Sequence, residues 1–226
     1  SLRSLSHVNF IKINLDLNDK LNILEIGPNE NGMVPSFSLY CKPNFFYYDQ
    51  LEFPVINHYG GKRLGSYFSK NAATHLGSNK KMDLIVLRHV LEHIFNLDNF
   101  IKYLENILTD SGWLFIEVPD WSWLDNQTDA LMFEHPNQFS THNLIFLMKR
   151  LGWQCEAVEK SIEADDPATP NRVQRLLFKP NKVPALFDNR IVNYFKVFYE
   201  DTYGKSNMTI NTLLSKINEN KKIALY

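Results

Sequence analysis

The stretch MDLIVLRHVLEHIFNLDNFIKYLENILTDSGWLFIEVPD, residues 82–120, constrains the fold more than any other part of the chain. Its ends, MDLIVLR (82–88) and WLFIEVP (113–119), read as buried strands. Between them Leu97, Phe100, Ile101, Leu104, Ile107 and Leu108 recur at helical spacing, and Gly112 stands where that helix should stop. A strand, an amphipathic helix and a second strand make a βαβ unit, whose right-handed crossover puts the two strands parallel in one sheet.

The flanking segments extend this pattern. LNILEIG (21–27) and NFFYYD (44–49) read as two more short buried strands, and an apolar stretch from Leu2 to Ile13 as a leading helix. STHNLIFLMKRLGW (140–153) reads as a helix closed by Gly152. QCEAVEKSI (154–162) and RVQRLLFK (172–179) are close enough to pair antiparallel across the loop EADDPATPN. The expected fold is therefore α/β: a Rossmann-like, mostly parallel sheet with helices on both faces, an antiparallel strand pair near its C-terminal end, and a C-terminal helical appendage. Residues 1–182 read as one domain. Residues 183–226 read as a helical extension, with amphipathic patterns in NRIVNYFKVFYEDTYG and TINTLLSKINEN. The closing KKIALY looks like the opening of a strand, either a plain terminal strand or the start of a second domain cut short.

Composition narrows the function. Hydrophobic residues make up 44% of 226, enough for a sizeable core. A net charge of -1 and a pI of about 6.6 give no electrostatic footprint for nucleic acid or an anionic membrane. With no apolar run long enough to span a bilayer and no signal peptide, a cytoplasmic location is expected. Cys41 and Cys155, far apart and outside any CxxC, imply neither a disulfide framework nor a structural zinc site.

Ligands of an open α/β sheet bind beyond the carboxyl ends of its strands, where the strand order reverses. Those ends carry Glu25 to Gly32, Asp49, Arg88 to His93, and Pro119 to Trp123. GPNENG (27–32) is a G-x-G-x-x-G pattern with Asn29 at the middle glycine. That glycine lets backbone approach a pyrophosphate seated on a helix N-terminus. An asparagine tolerates the left-handed turn but crowds the phosphates, and Pro35 interrupts the helix that should follow. Asp49 follows Gly27 by 22 residues, the distance at which a carboxylate accepts hydrogen bonds from ribose hydroxyls. A cofactor with ribose and adenine but no phosphate fits this loop, and S-adenosylmethionine is one. Its positive sulfonium and ammonium suit Glu25, which a pyrophosphate site would avoid.

The 82–120 string resembles the middle of a class I S-adenosylmethionine-dependent methyltransferase, more narrowly the branch of sugar C-methyltransferases and related small-molecule enzymes. The features that carry the resemblance are a strand, a helix start in HVLEH, a helix, a glycine turn and a strand ending in EVPD. FEHPNQFSTHNLIFLMKRLGW (133–153) is similar to a later segment of that branch. The resemblance implies methyl transfer to a small molecule (a sugar, nucleotide-sugar or glycan, as in polysaccharide biosynthesis) by O- or C-methylation. It implies a cofactor site of Glu25, Gly27, Asn29, Asp49, Arg88 and His89, with Glu25 near the methionine part and Asp49 on the ribose. It also implies His135 as a general base oriented by Glu134, the alternative being a loop histidine that only closes the pocket. Trp121 and Trp123, after the fourth strand, read as a wall for a sugar ring or as lid packing.

His89, Glu92 and His93 also spell H-x-x-E-H, the zinc signature of inverted zincin proteases, with both imidazoles on one helix face. Directly after a buried strand, polar packing at a helix start accounts for the same letters, and no metal is assigned. The rival to an enzyme is a catalytically silent binding or scaffolding domain of the same fold, which failure to bind the cofactor would mark. An NAD oxidoreductase differs by its cofactor. The C-terminal helices, with Tyr194, Phe195, Phe198 and Tyr199, pack on the sheet domain or meet a second domain or a second copy.

Overall fold

A computed structural model of the chain describes residues 2–30, 32–77, 80–122, 135–163 and 171–181. The tail 183–226, Trp123 and Glu134 lie outside the described residues. Seven strands form one sheet in the order β3-β2-β1-β4-β5-β7-β6. The parallel strands are β1 (Asn22–Ile26), β2 (Asn44–Tyr48), β3 (Lys62–Gly65), β4 (Met82–Arg88) and β5 (Leu108–Pro119). β7 (Asn171–Pro180) runs antiparallel beside β5, and β6 (Trp153–Glu163) antiparallel beside β7, as the loop between them predicts. The order reverses between β1 and β4, which places the crevice expected of such a sheet at their carboxyl ends.

Period-2 alternation along the strands divides the core. Leu24, Ile26, Ile85, Leu87, Leu114 and Ile116 face α4 (Ala72–Leu76), α5 (Leu97–Ile107) and α6 (Thr141–Arg150). Ile23, Leu84, Val86, Phe115 and Leu177 face α1 (Leu2–Asn14), α2 (Val34–Phe37) and α3 (Pro54–His58). Covered on both faces, the central strands can be continuously apolar, which is why β4 reads as an unbroken run. Each fully buried Leu, Ile or Phe contributes about 1.5–3 kcal/mol. Among the described residues no helix is long and apolar enough to cross a membrane.

Three details depart from the sequence reading. β3, α3 and α4 carry too few apolar residues, four or five positions each, to show a period. α5 stops at Ile107 rather than near Gly112. The next strand begins at once and shifts register, so that Met82 pairs with Leu108 while Leu84 pairs with Trp113. Gly112 lies inside that irregular stretch, where a Cβ would come within 2.5 Å of Leu108 Cγ. Finally, HVLEH does not open an α-helix. Leu91–His93 is a single 3-10 turn, Ile94 is extended, and α5 starts afresh with Asn96 Oδ1 accepting from Asn99 N.

The α1 face of the sheet also carries charge. Glu117 of β5 is fully buried, and its Oε2 accepts from Arg175 Nε of β7 at 2.7 Å and pairs with His7 Nε2 of α1 at 2.5 Å. Arg175 Nη1 donates onward to Ser6 Oγ (2.8 Å) and Glu159 Oε2 (2.7 Å). Burial pulls the Arg175 pKa down, but the Glu117 and Glu159 carboxylates outweigh it and hold the guanidinium charged. Removing one partner of such a cluster leaves a buried charge uncompensated. Glu117→Ala is therefore expected to cost about 3–5 kcal/mol, read as a lower urea midpoint at unchanged slope. A Glu117→Met/Arg175→Met double variant recovers much of that loss.

Candidate functional site

The turn after β1 is built around two left-handed glycines. Gly27 has φ 65° and donates its N–H to Tyr48 O of β2 at 2.9 Å. A Cβ there would stand 3.0 Å from Val90 Cγ2. Gly32 has φ 50°, donates to Asn29 O (2.9 Å), and would drive a Cβ within 2.7 Å of Ile56 Cδ1. Gly27 and Asn29 are exposed at the crevice, and only glycine fits both turning points.

Glu25 holds this loop from beneath. Its carboxylate is fully buried: Oε2 accepts from Met33 N at 2.8 Å and Oε1 from Arg88 Nε at 2.8 Å. Glu25 and Arg88, expected to border a cofactor's positive end, are paired with each other. The two side chains satisfy each other inside the protein because neither charge can be buried alone. Ser4 Oγ of α1 adds a hydrogen bond to Gly32 O (3.3 Å) from above. The helix after the loop, α2, has four residues with Pro35 in its first turn, so this loop does not run into a long helix.

Asp49 stands at the end of β2, half-buried. Oδ1 accepts from Leu51 N (2.9 Å), and Oδ2 makes no hydrogen bond among the described residues. Arg63 Nε braces the Asp49 carbonyl at 2.9 Å. One carboxylate oxygen is thus held to the backbone while the other remains available.

At the end of β4, His89 takes a left-handed backbone (φ 53°) as the chain leaves the sheet. That conformation costs a non-glycine residue of order 1–3 kcal/mol and is met most often at functional sites. Its Nε2 lies 2.9 Å from Arg3 Nη2 and its Nδ1 lies 3.2 Å from Glu92 Oε1. A guanidinium only donates, so Nε2 accepts and the ring proton sits on Nδ1, pointing at Glu92. Arg3, Ser4 and Glu117 are members of the site that sequence reasoning missed. Glu117 had a signal, an acid between Ile116 and Val118 in an otherwise apolar strand. Arg3 and Ser4 had none, because only folding brings α1 to the crevice.

Trp121, partly buried, follows β5 and donates its N–H to Phe139 O (3.0 Å), which also accepts from Gln174 Nε2 (2.6 Å). Asn137 fastens the same segment to the 3-10 turn. Its N–H donates to Glu92 O (3.2 Å) and its Nδ2 to Ile94 O (2.7 Å). His135 is thereby brought against His93, the ring centroids 4.6 Å apart in an edge-on arrangement. Glu134 and Trp123 are not among the described residues.

A family model described as a methyltransferase domain matches residues 7–195, and the chain belongs to that family. Among curated proteins none matches the sequence. Solved structures do. A 1,6-didemethyltoxoflavin-N1-methyltransferase of Burkholderia thailandensis, with bound 1,6-didemethyltoxoflavin and S-adenosylhomocysteine, superposes with a TM-score of 0.59 at 11% identity. That match covers 80% of this chain and 78% of that one. A SAM-dependent methyltransferase of Thiobacillus denitrificans in complex with S-adenosyl-L-homocysteine gives 0.60 at 10% identity, covering 80% and 92%. The magnesium protoporphyrin IX methyltransferase of Synechocystis PCC 6803 gives 0.54 at 11%, covering 78% and 82%. At these identities the likeness is one of fold.

The clamp behind Trp121 has a pH signature. Burial pushes the Asp120 carboxyl up, but hydrogen bonds from Ser122 (Oγ, 2.6 Å) and the Lys160 ammonium (2.9 Å) outweigh it and hold its pKa below the ordinary value. A depressed folded-state pKa gives stability that is present above the unfolded value and lost as pH falls through the folded one. Asp120→Asn is expected to unfold at lower urea than the wild type at neutral pH. The gap should narrow as pH drops below the ordinary carboxylate value of about 3.9.

Proposed function

We propose that this member of the methyltransferase-domain family transfers a methyl group from S-adenosylmethionine to a small molecule, a sugar, nucleotide-sugar or glycan. The observation that carries the cofactor is the loop. Gly27 and Gly32 turn it, the Glu25–Arg88 pair fixes it, and the four-residue α2 offers no cradle for a pyrophosphate. S-adenosylhomocysteine in the solved neighbours supports the same cofactor. When bound, it supplies a methyl group already activated by its sulfonium leaving group.

The chain's residues then have positioning and proton-handling roles. Asp49 accepts from the ribose hydroxyls with its available oxygen. Gly27 and Asn29 leave the crevice open to the nucleoside and methionine parts. Glu25 and Arg88 act indirectly, by holding the loop, and His89 by joining α1 to the 3-10 turn. Alignment of acceptor and methyl group is the main demand of this reaction. His135 is the base that takes the acceptor's proton, oriented by Glu134, because an imidazole titrates near working pH. Trp121 and Trp123 are given the role of stacking against a sugar ring. His135 lies on the segment that Asn137 fixes to the turn after β4, beside the strand ends where the acceptor must sit, and this supports its role.

The test is transfer of labelled methyl from S-adenosylmethionine to a panel of sugars, nucleotide-sugars and glycans. Transfer to at least one acceptor is expected, with His135→Ala lowering kcat by about 10²–10⁴ at unchanged cofactor affinity. Transfer to none of them, with cofactor still bound, overturns the sugar acceptor, whereas failure to bind the cofactor leaves a silent binding domain instead.

A further inference from the structure

Glu92 is buried to 1% exposure, and its two oxygens have unequal surroundings. Oε1 faces His89 Nδ1, whereas Oε2 is buried with no hydrogen-bond partner among the described residues. Leaving a charged oxygen in that state costs several kcal/mol unless something binds it. Among the described residues no lysine or arginine does so. Arg88 is engaged by Glu25, Arg175 by Glu117 and Glu159, and Arg3 by His89.

Two imidazoles stand beside this carboxylate. One carboxylate oxygen of Glu92 and one ring nitrogen each from His93 and His135 lie within 4.8 Å of one another. The three come from two segments of chain, and Asn137 ties those segments together through both its backbone and its side chain. We infer that Glu92, His93 and His135 form a binding site for a divalent first-row transition metal ion of the zinc class.

The donor set selects the metal. Two nitrogens and one carboxylate suit zinc, cobalt, iron or manganese, whereas magnesium and calcium favour all-oxygen shells. Metal–ligand bonds of about 2.0–2.1 Å place tetrahedral ligand atoms about 3.3 Å apart. The present spacing closes to that through rotation of His93, the exposed member of the three. His89 supplies the outer support, its Nδ1–H holding Glu92 Oε1 in place as the partners of metal-bound groups commonly do. The H-x-x-E-H reading of the sequence is thereby altered. The left-handed turn at His89 and the 3-10 turn after it draw that histidine toward Arg3 and Glu117, and His135, from a distant segment, takes its place.

Among the described residues three protein ligands are offered, which leaves a coordination position open, the arrangement of a catalytic rather than a structural site. This deepens the methyltransferase reading and rests on it: the open position takes an acceptor oxygen. The metal lowers the pKa of that O–H, its proton leaves to water, and the oxygen keeps the electron pair it then offers to the methyl group. In the metal-loaded protein the His135 lone pair is coordinated, so water takes the proton in place of the imidazole and the metal-held oxygen is the nucleophile; the base role given to His135 above is that of the metal-free protein.

Untagged protein stripped with chelator and titrated with Co²⁺, followed by visible absorption and calorimetry, tests the site. One equivalent is expected to bind with a new visible band. Glu92→Gln, His93→Ala and His135→Ala should each weaken binding by more than the about 10–100-fold that losing an outer partner costs, with His89→Ala inside that range. His58→Ala, an exposed histidine on α3, should change nothing. Circular dichroism and S-adenosylhomocysteine binding on each variant report folding and the cofactor site separately. Loss of the metal site alone therefore cannot be confused with failure of the methyltransferase reading. Absence of stoichiometric cobalt binding, or binding indifferent to His93→Ala and His135→Ala, overturns the inference.

Discussion

The crevice depends on one buried ion pair, Glu25 with Arg88. A carboxylate at the end of β1 and a guanidinium at the end of β4 meet where the sheet reverses its order. Neither could be buried singly, and together they also bind the Met33 amide, which shapes the loop between Gly27 and Gly32. Many nucleotide sites fix such a loop by threading it into a long helix whose dipole meets phosphate. Here the loop is fixed by charge from below, and the short α2 leaves the space above it without a phosphate cradle. The identity of the cofactor follows from how the loop is held more than from its glycine count.

A second cluster extends the same strategy. Alternation along the strands places Glu25, Arg88, Glu117 and Arg175 on the α1 face, so the first helix is docked by charge as well as by Val8, Phe10 and Ile11. Docking brings Arg3 to His89 and Ser4 to Gly32, making the helix part of the site rather than a lead-in to it. His89 links the clusters: its backbone bonds Glu117 and its ring joins Arg3 to Glu92. A change at Glu117 would therefore reach the turn that carries Glu92 and His93.

Much of the fold was legible because β1, β4 and β5, buried on both faces, are largely continuous apolar runs and α5 carries one strongly periodic apolar face. The antiparallel β6–β7 pair was legible from its short connection. What escaped had physical reasons. β3, α3 and α4 are too short for a period. The letters of HVLEH allow a helix, whereas the chain leaving β4 turns left-handed at His89 and passes into a single 3-10 turn. Glu25, Asp49 and Arg88 were legible as crevice positions because strand ends mark them, whereas His135 was singled out by the resemblance of FEHPNQFS alone. Their partners were not, since Glu25–Arg88 and His93–His135 are pairings across the fold that no local spacing encodes.

The central claim is that this crevice takes an adenosyl cofactor without a pyrophosphate. Calorimetric titration of S-adenosylhomocysteine, with NAD alongside, into the wild type and Asp49→Ala tests it directly. The account predicts micromolar binding of S-adenosylhomocysteine, none of NAD, and a loss of about 1.4 kcal/mol or more, tenfold in affinity, in the variant. Binding of NAD in its place, or S-adenosylhomocysteine affinity that is absent or indifferent to Asp49, would contradict it.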